Sequence, residues 1–433
     1  MSDMVEVHRV AVTDGPLSAV VVVPGSKSVA NRALICAALA DGTSRLDGVA
    51  PGDDTAAMLD CLALLGAPSV EVGDDRVAID GTAGAPVMTA PATGAAQVTL
   101  PTRLAGTTSR FVTALAALAH VPITVDGLPP LRSRPMTPLH DALVSLGATV
   151  EPGGAWGHLP VTVTGPVRTG GTIRIRGDVS SQYVTALMLI APYLDGGLRI
   201  EVTTPLVSRS YLGITAAVMA AFGLDGVEIS DDVVVVPPGR YVATHFVVEP
   251  DASSASYPLA AAAIAGGTVH VPGLTRTSLQ GDARFADVLG EMGCEVTSST
   301  AGTTVTREGP LRGLDIDMVD LSDLVPTLAV VAVVAHTPTT IRGVGFIRGK
   351  ESDRIGDLCA ELHRAGIRAE EMDDGLRIHP GMPHATRFAT YHDHRLAMAL
   401  ALLGLVVDGI EVADPGVVSK SWPAYWDMLD GLA

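Results

Sequence analysis

Aromatic side chains are scarce in this chain of 433 residues. They make up 4% of it, against 47% for apolar residues as a whole. Ala, Val, Leu and Gly therefore have to build the interior, which suits helices packed closely on sheets better than a ligand site walled with rings. Cysteine is nearly missing as well. Cys36, Cys61, Cys294 and Cys359 lie far apart with no CxxC pair, which argues against a disulfide framework or zinc site and points to a reducing cytoplasm. Long hydrophobic runs are lacking: 324–335 and 397–407 are the longest, and both are too short to span a bilayer. Basic residues are outnumbered, giving a formal charge of −18. That argues against a sequence-independent hold on nucleic acid or on an anionic membrane surface, and it makes any cluster of cations worth explaining. The opening MSDMVEVHRV has acids and no apolar core, so it does not read as a secretory signal.

What is present is repetition. One unit reads as polar residues, an Ala/Leu-rich helix, a small turn and a strand ending near Gly. Its six copies are NRALICAALADGTSRLDG, SRFVTALAALAHVPITVDG, SSQYVTALMLIAPYLDGGLRIEV, SSASYPLAAAAIAGGTVHVPG, DLVPTLAVVAVVAHTPTTIRG and DHRLAMALALLGLVVDGIEV. These helices are apolar almost all round and should be buried. Between them runs a second helix that ends in Gly66, Gly147, Gly223, Gly293 or Gly366, each well placed as a left-handed cap. One such helix carries an apolar stripe of Ile355, Leu358, Cys359 and Leu362. The chain is too long for one ordinary core, and six copies split most simply into two domains of three. The break is expected near HFVVEPDASS, giving 25–249 as one domain and 1–24 with 250–433 as the other, with two crossovers.

The polar starts of the Ala-rich helices are where chemistry is expected. A helix N-terminus offers free N–H groups and a positive dipole end, and it normally favours acids and hydroxyls. Here several starts carry cations: PGSKSVANR (Lys27, Ser28, Arg32), LAGTTSR (Gly106, Thr107, Arg110) and HDHR (His394, Arg395), while VSSQY adds Ser180, Ser181 and Gln182. An external anion is the economical explanation. The bland readings are a solvated turn with an N-cap for GSKS, which is no P-loop, a capping cluster for SSQ, a satisfied helix start for HDH, and a basic turn for RSRP (Arg132 to Pro135). RGKESDRIG packs Arg348, Lys350, Glu351, Asp353 and Arg354 together; if a helix begins there, Lys350 and Arg354 share a face. Asp323, in LSDLVPTL, is either a plain N-cap or a candidate general base beside anion-binding cations.

Taken in order, PGSKSVANRAL, LAGTTSRF, RPM, GDVSSQYVTALM, DASSASYPLAAAAI, QGDARFADVL, KESDRI, YHDHRLAMA and SKSWPAYW run through essentially the whole chain. Together they resemble the enolpyruvyl transferases, and within them the EPSP synthase family. The resemblance implies an α/β (α+β) fold of two similar domains. Each would hold three βαβαββ repeats around an inverse pseudo-threefold, with the active site in the cleft between the two domains. It implies transfer of the enolpyruvyl group of phosphoenolpyruvate to the 5-hydroxyl of shikimate 3-phosphate with release of phosphate. No cofactor and no metal would be needed. The protein would be a cytoplasmic monomer that acts on small molecules and has no nucleic-acid or membrane partner.

The resemblance also assigns residues. Shikimate 3-phosphate falls to Lys27, Ser28, Arg32, Ser180, Ser181, Ser208, Tyr211, Asp323 and Lys350. Phosphoenolpyruvate falls to Lys27, Gly106, Arg134, Gln182, Arg354, Arg395 and Lys420. Proton transfer falls to Asp323, Glu351 and Lys27. Leu104 stands where many members have Asn, and Phe346 where some members use Asn on shikimate 3-phosphate, whereas the retained Gly106 implies sensitivity to glyphosate. The nearest rival, UDP-N-acetylglucosamine enolpyruvyl transferase, usually carries a reactive cysteine in a mobile loop. Cys36 and Cys61 instead sit in apolar helical patterns.

Overall fold

In the computed structural model the chain divides into two compact units, 25–248 and 1–24 with 249–433. The structure describes residues 6–73, 75–86 and 98–433. Positions 1–5, part of the stretch read above as no secretory signal, lie outside the described residues. Each unit has its own core: one is built from side chains between Val29 and Val248, the other from Val10, Leu17 and side chains between Ala252 and Leu429.

The six Ala-rich segments are helices: α1 (Lys27–Leu39), α2 (Gly106–Ala116), α3 (Ser181–Ile190), α4 (Ala252–Ala265), α5 (Val325–Val333) and α6 (His394–Ala401). They are buried nearly all round, as their composition requires. In α1 every residue from Val29 to Leu39 is buried. Four of them, α2, α3, α5 and α6, each join two parallel strands of one sheet. In one repeat, strand Val98–Pro101 leads through α2 to Ile123–Asp126. A helix at Thr137–Ser145 follows, and then a hairpin of Thr149–Pro152 and Val161–Thr164. The first two strands pair in parallel and the rest antiparallel, in the order first, second, fourth, third. Three more four-stranded sheets share this order, and in another the first place is taken by His245–Val247, the last of its strands in the chain. A sixth sheet has three strands among the described residues: Val7–Arg9, Glu411–Ala413 and Arg387–Phe388.

Two sheets are completed by strands from distant sequence. Leu17–Val20 pairs in parallel with Gly267–Pro272, and His245–Val247 pairs in parallel with Thr43–Asp47. The alternate helices end where the glycines predict. Gly66, Gly147, Gly223, Gly293 and Gly366 all have φ between 82° and 119°, a region that a Cβ disfavours. The apolar stripe of Ile355, Leu358, Cys359 and Leu362 is buried, as its spacing predicts. Among the described residues no helix is long and apolar enough to cross a membrane, and no group of His, Cys, Asp or Glu could hold a metal ion.

Candidate active site

In the 25–248 unit the polar group grows from the starts of α1, α2 and α3. Ser26 caps α1 by accepting from the Val29 N–H, so Lys27 and Ser28 begin the helix. Lys27 Nζ lies 2.9 Å from a carboxylate oxygen of Asp54, which is 3% exposed. One turn on, Arg32 is buried. Its guanidinium donates to Thr215 Oγ1 at 2.8 Å, the Ser28 carbonyl at 2.7 Å, Thr185 Oγ1 at 3.4 Å and the Tyr211 carbonyl at 3.3 Å. The rings of Phe111 and Tyr211 lie 5.5 and 5.6 Å from it. All these acceptors are neutral, and among the described residues Arg32 makes no ion pair. Burial lowers it to about 10, which still leaves it charged at neutral pH. A buried guanidinium matched only to neutral oxygens would gain from a nearby anion.

Gly106 opens α2 after Ala105, which has no side chain able to cap. Arg110 reaches back 2.9 Å to the Gly106 carbonyl, so this arginine braces its own helix start. A Cβ on Gly106 would stand 2.6 Å from Arg134 Nη1 and 2.7 Å from Arg110 Nη1. Ser180 caps α3 through the Gln182 N–H, as a capping cluster should, and the Gln182 amide donates to Thr107 Oγ1 at 3.2 Å, linking the starts of α3 and α2. Ser181 is buried, and Ser208 is buried with a left-handed φ of 52°. In the basic turn, Arg132 is tied to Asp126 by a two-pronged ion pair.

The other unit gathers charges around Asp323. The plain N-cap reading fails. Asp323 lies in a 3-10 turn, Ser322–Leu324, ahead of α5, and α5 has no side-chain cap. Its carboxylate instead meets Arg354 at 2.9 Å, Arg395 at 2.8 Å and Lys350 at 3.6 Å. Burial alone would raise this carboxyl, but Arg395, Lys350 and Arg354 outweigh it and hold Asp323 well below the usual carboxylate range. Arg354 is 1% exposed and also pairs with Glu351 at 2.7 Å and Asp393 at 2.7 Å. Burial would lower it, yet Asp393, Glu351 and Asp323 raise it. Asp393 caps α6 by accepting from the Arg395 N–H at 2.9 Å, so the HDH sequence is a satisfied helix start. Lys420, itself buried, ends a 3-10 turn, Pro415–Lys420. Phe346, which stands where Asn is expected, lies with its ring centroid 5.8 Å from Lys350 Nζ.

Lys350 and Arg354 do not share a helix face. The helix runs Gly356–Arg364 and starts after both. Asp353 sets that start by accepting the Ile355 and Gly356 N–H groups at 3.1 and 2.9 Å while holding Arg348. The two cations converge through the turn instead.

Two comparisons fix the family. A family model described as EPSP synthase (3-phosphoshikimate 1-carboxyvinyltransferase) matches residues 12–429. The 3-phosphoshikimate 1-carboxyvinyltransferase of Nostoc punctiforme is 43% identical over 95% of both chains, and that of a second Nostoc strain is 42% identical over 95% of this chain and 96% of its own. The chain belongs to the EPSP synthase family. An EPSP synthase structure from Acinetobacter baumannii superposes with a TM-score of 0.81 over 99% of this chain and 98% of that one. At 24% identity that match speaks for the fold alone, the α/β arrangement of repeated sheets and helices described above.

Sequence reasoning missed the buried acids. Asp54, Asp282 and Asp393 took no role in it, although the last two lie inside motifs that carried the resemblance. Asp282 accepts a hydrogen bond from Ser253. Burial, with Asp323 adding to it, pushes its carboxyl up to about 7.

Proposed function

We propose that this enzyme transfers the enolpyruvyl group of phosphoenolpyruvate to the 5-hydroxyl of shikimate 3-phosphate, a step of the shikimate pathway towards chorismate and the aromatic amino acids. The observation that carries the reading is the convergence of Lys350, Arg354 and Arg395 on the single carboxylate of Asp323. The named activity of relatives at 42–43% identity supports it.

The three cations face three acids, Asp323, Glu351 and Asp393, so incoming anions would bind by taking over contacts that these acids now hold. Phosphoenolpyruvate falls to Arg354, Arg395 and Lys420, together with Lys27, Gly106, Arg134 and Gln182. Shikimate 3-phosphate falls to Lys27, Ser28, Arg32, Ser180, Ser181, Ser208, Tyr211 and Lys350, with Asp323 at its hydroxyl. While three cations hold it, Asp323 is a poor base. Substrate anions that take over Arg354 and Arg395 would raise its proton affinity when the 5-hydroxyl is in place. The hydroxyl oxygen then bonds to C2 of phosphoenolpyruvate as Asp323 takes its proton and Glu351 delivers one to C3. In the second step a proton returns from C3 to Glu351, the C2–O bond to phosphate breaks and the double bond reforms. The arginines and lysines offset the charge of the tetrahedral intermediate.

The rival acceptor, UDP-N-acetylglucosamine, finds no support in the cysteines. All four are buried, and burial pushes the Cys61 thiol up to about 12. The chain is read as a cytoplasmic monomer, which sedimentation at micromolar concentration tests. The decisive assay is phosphate release from phosphoenolpyruvate with shikimate 3-phosphate, and separately with UDP-N-acetylglucosamine. Release with the first acceptor only is expected; release with neither, or only with the second, overturns the reading. Single-turnover rates of Asp323→Ala and Glu351→Gln test the proton roles, and wild-type rates in both would remove them.

A further inference from the structure

We propose that Glu361 is a positioning residue for the arginine pair: it clamps the 387–393 segment so that Asp393 keeps Arg354 and Arg395 in register for the anionic donor. The catalytic side of this proposal rests on the substrate reading above. The clamp itself rests on geometry.

Glu361 sits on the helix Gly356–Arg364, and its carboxylate has no exposed surface. A carboxylate is costly to bury unless its lone pairs find donors; here two donors come from one short stretch of chain and a third, Arg364, from the same helix. Oε2 accepts the Ala389 N–H at 3.0 Å, and Oε1 accepts the Tyr391 hydroxyl at 2.8 Å. Arg364 Nη1 bridges both oxygens at 3.0 and 2.9 Å, and its Nη2 donates to the Arg387 carbonyl at 2.7 Å. Glu361 and Arg364 together grip Arg387, Ala389 and Tyr391. Partial burial and the bond to Glu361 push the Tyr391 hydroxyl up to about 12, so it stays a donor at neutral pH.

The gripped stretch is strained. Tyr391 and His392 are consecutive non-glycine residues in the left-handed region, with φ of 52° and 57°. Such residues cost on the order of 1–3 kcal/mol each and persist only when their surroundings hold them. The His392 side chain is 76% exposed, 3.5 Å from an Asp414 carboxylate that is itself half exposed, so the holding falls to Tyr391. This double turn lets the Asp393 N–H reach the Thr390 carbonyl at 2.8 Å and turns the Asp393 carboxylate inward onto Arg354 Nε at 2.7 Å and the Arg395 N–H. Arg354 lies just ahead of the helix Gly356–Arg364 and Glu361 within it. The segment leading into and along that helix therefore holds the loop twice, by Arg354 at Asp393 and by Glu361 at Ala389 and Tyr391.

The test pairs Glu361→Gln with Tyr391→Phe in the full-length enzyme. Gln keeps the shape but brings an amide NH2 against the tyrosine or arginine donors. Phe removes one hydrogen bond from a side chain that is 38% exposed, so that variant should fold even if the first does not. The KM for phosphoenolpyruvate is expected to rise about tenfold in Glu361→Gln and about threefold in Tyr391→Phe, with the KM for shikimate 3-phosphate within about twofold of wild type. Amide hydrogen exchange over 389–395 should quicken in both variants while the 25–248 unit is unchanged. Wild-type exchange and wild-type KM in Tyr391→Phe would overturn the proposal, as would parallel rises in both KM values. Exchange is read without substrates, so a failure of the substrate assignment in the wild-type enzyme is distinguishable from a failure of the clamp.

Discussion

Gly106 illustrates how little room Arg134 and Arg110 leave at the start of α2. A methyl group there would stand 2.6 Å from one arginine and 2.7 Å from another, too close for either guanidinium to stay. Gly106→Ala should therefore raise the KM for phosphoenolpyruvate by about tenfold, near 1.4 kcal/mol, and weaken glyphosate inhibition, with shikimate 3-phosphate unaffected; steady-state kinetics with each substrate varied in turn checks this. Asp282 gives a pH prediction. Its folded carboxyl titrates near 7 because it is buried, whereas in the unfolded chain it titrates near 4. Between those values the folded state holds a proton that the unfolded state has lost, so this residue makes stability fall as pH rises from about 4 through about 7. Asp282→Asn should flatten the fall in Tm between pH 5 and pH 8 relative to wild type. An identical slope in both proteins would show that Asp282 does not carry the titration. Asp323 has the opposite sign. Its depressed carboxyl contributes stability above about pH 4 that is lost on acidification, so Asp323→Asn should unfold with less dependence on pH below 4.

Elements were more legible than partners. The six Ala-rich helices and the five glycine-ended ones follow from local rules, all-round apolarity and a left-handed cap, and both operate within a few residues. KESDR has helical composition, yet the helix starts only after Arg354. What decides it is Asp353, whose carboxylate takes the first N–H groups only after the chain has turned. Removing that cap by Asp353→Ala should cost about 1 kcal/mol, lowering Tm by roughly 2–4 °C for a unit of this size, as calorimetry would register. The cations at the helix starts were visible because they break a local preference. Their acids were not: Asp54 answers Lys27 across 27 residues and Asp393 answers Arg354 across 39. No spacing rule reaches so far, and a buried aspartate in a sequence looks like any N-cap. Arg32 was read as a ligand group, and the four neutral oxygens that hold it, two of them on Thr185 and Thr215, carry no signature at all.

Across the whole molecule, two cores without shared members imply two units able to fold separately. Residues 25–248, expressed alone, should give a cooperative thermal transition, because the strand His245–Val247 that completes the first sheet lies inside that span. A broad, non-cooperative melt would contradict this. The converse fragment, 249–433, lacks Leu17–Val20 and should expose the edge of Gly267–Pro272, so aggregation is expected unless residues 1–24 are supplied. The borrowed strands also set a timetable. As the chain leaves the ribosome, the middle unit can close once residue 247 has emerged. The stretch ahead of it has to wait for partners at 267–272 and then at 411–413. The strands Val7–Arg9 and Leu17–Val20 are thus made before the middle unit and paired only after it, and the growing chain carries their open β-edges while residues 25–266 are being added.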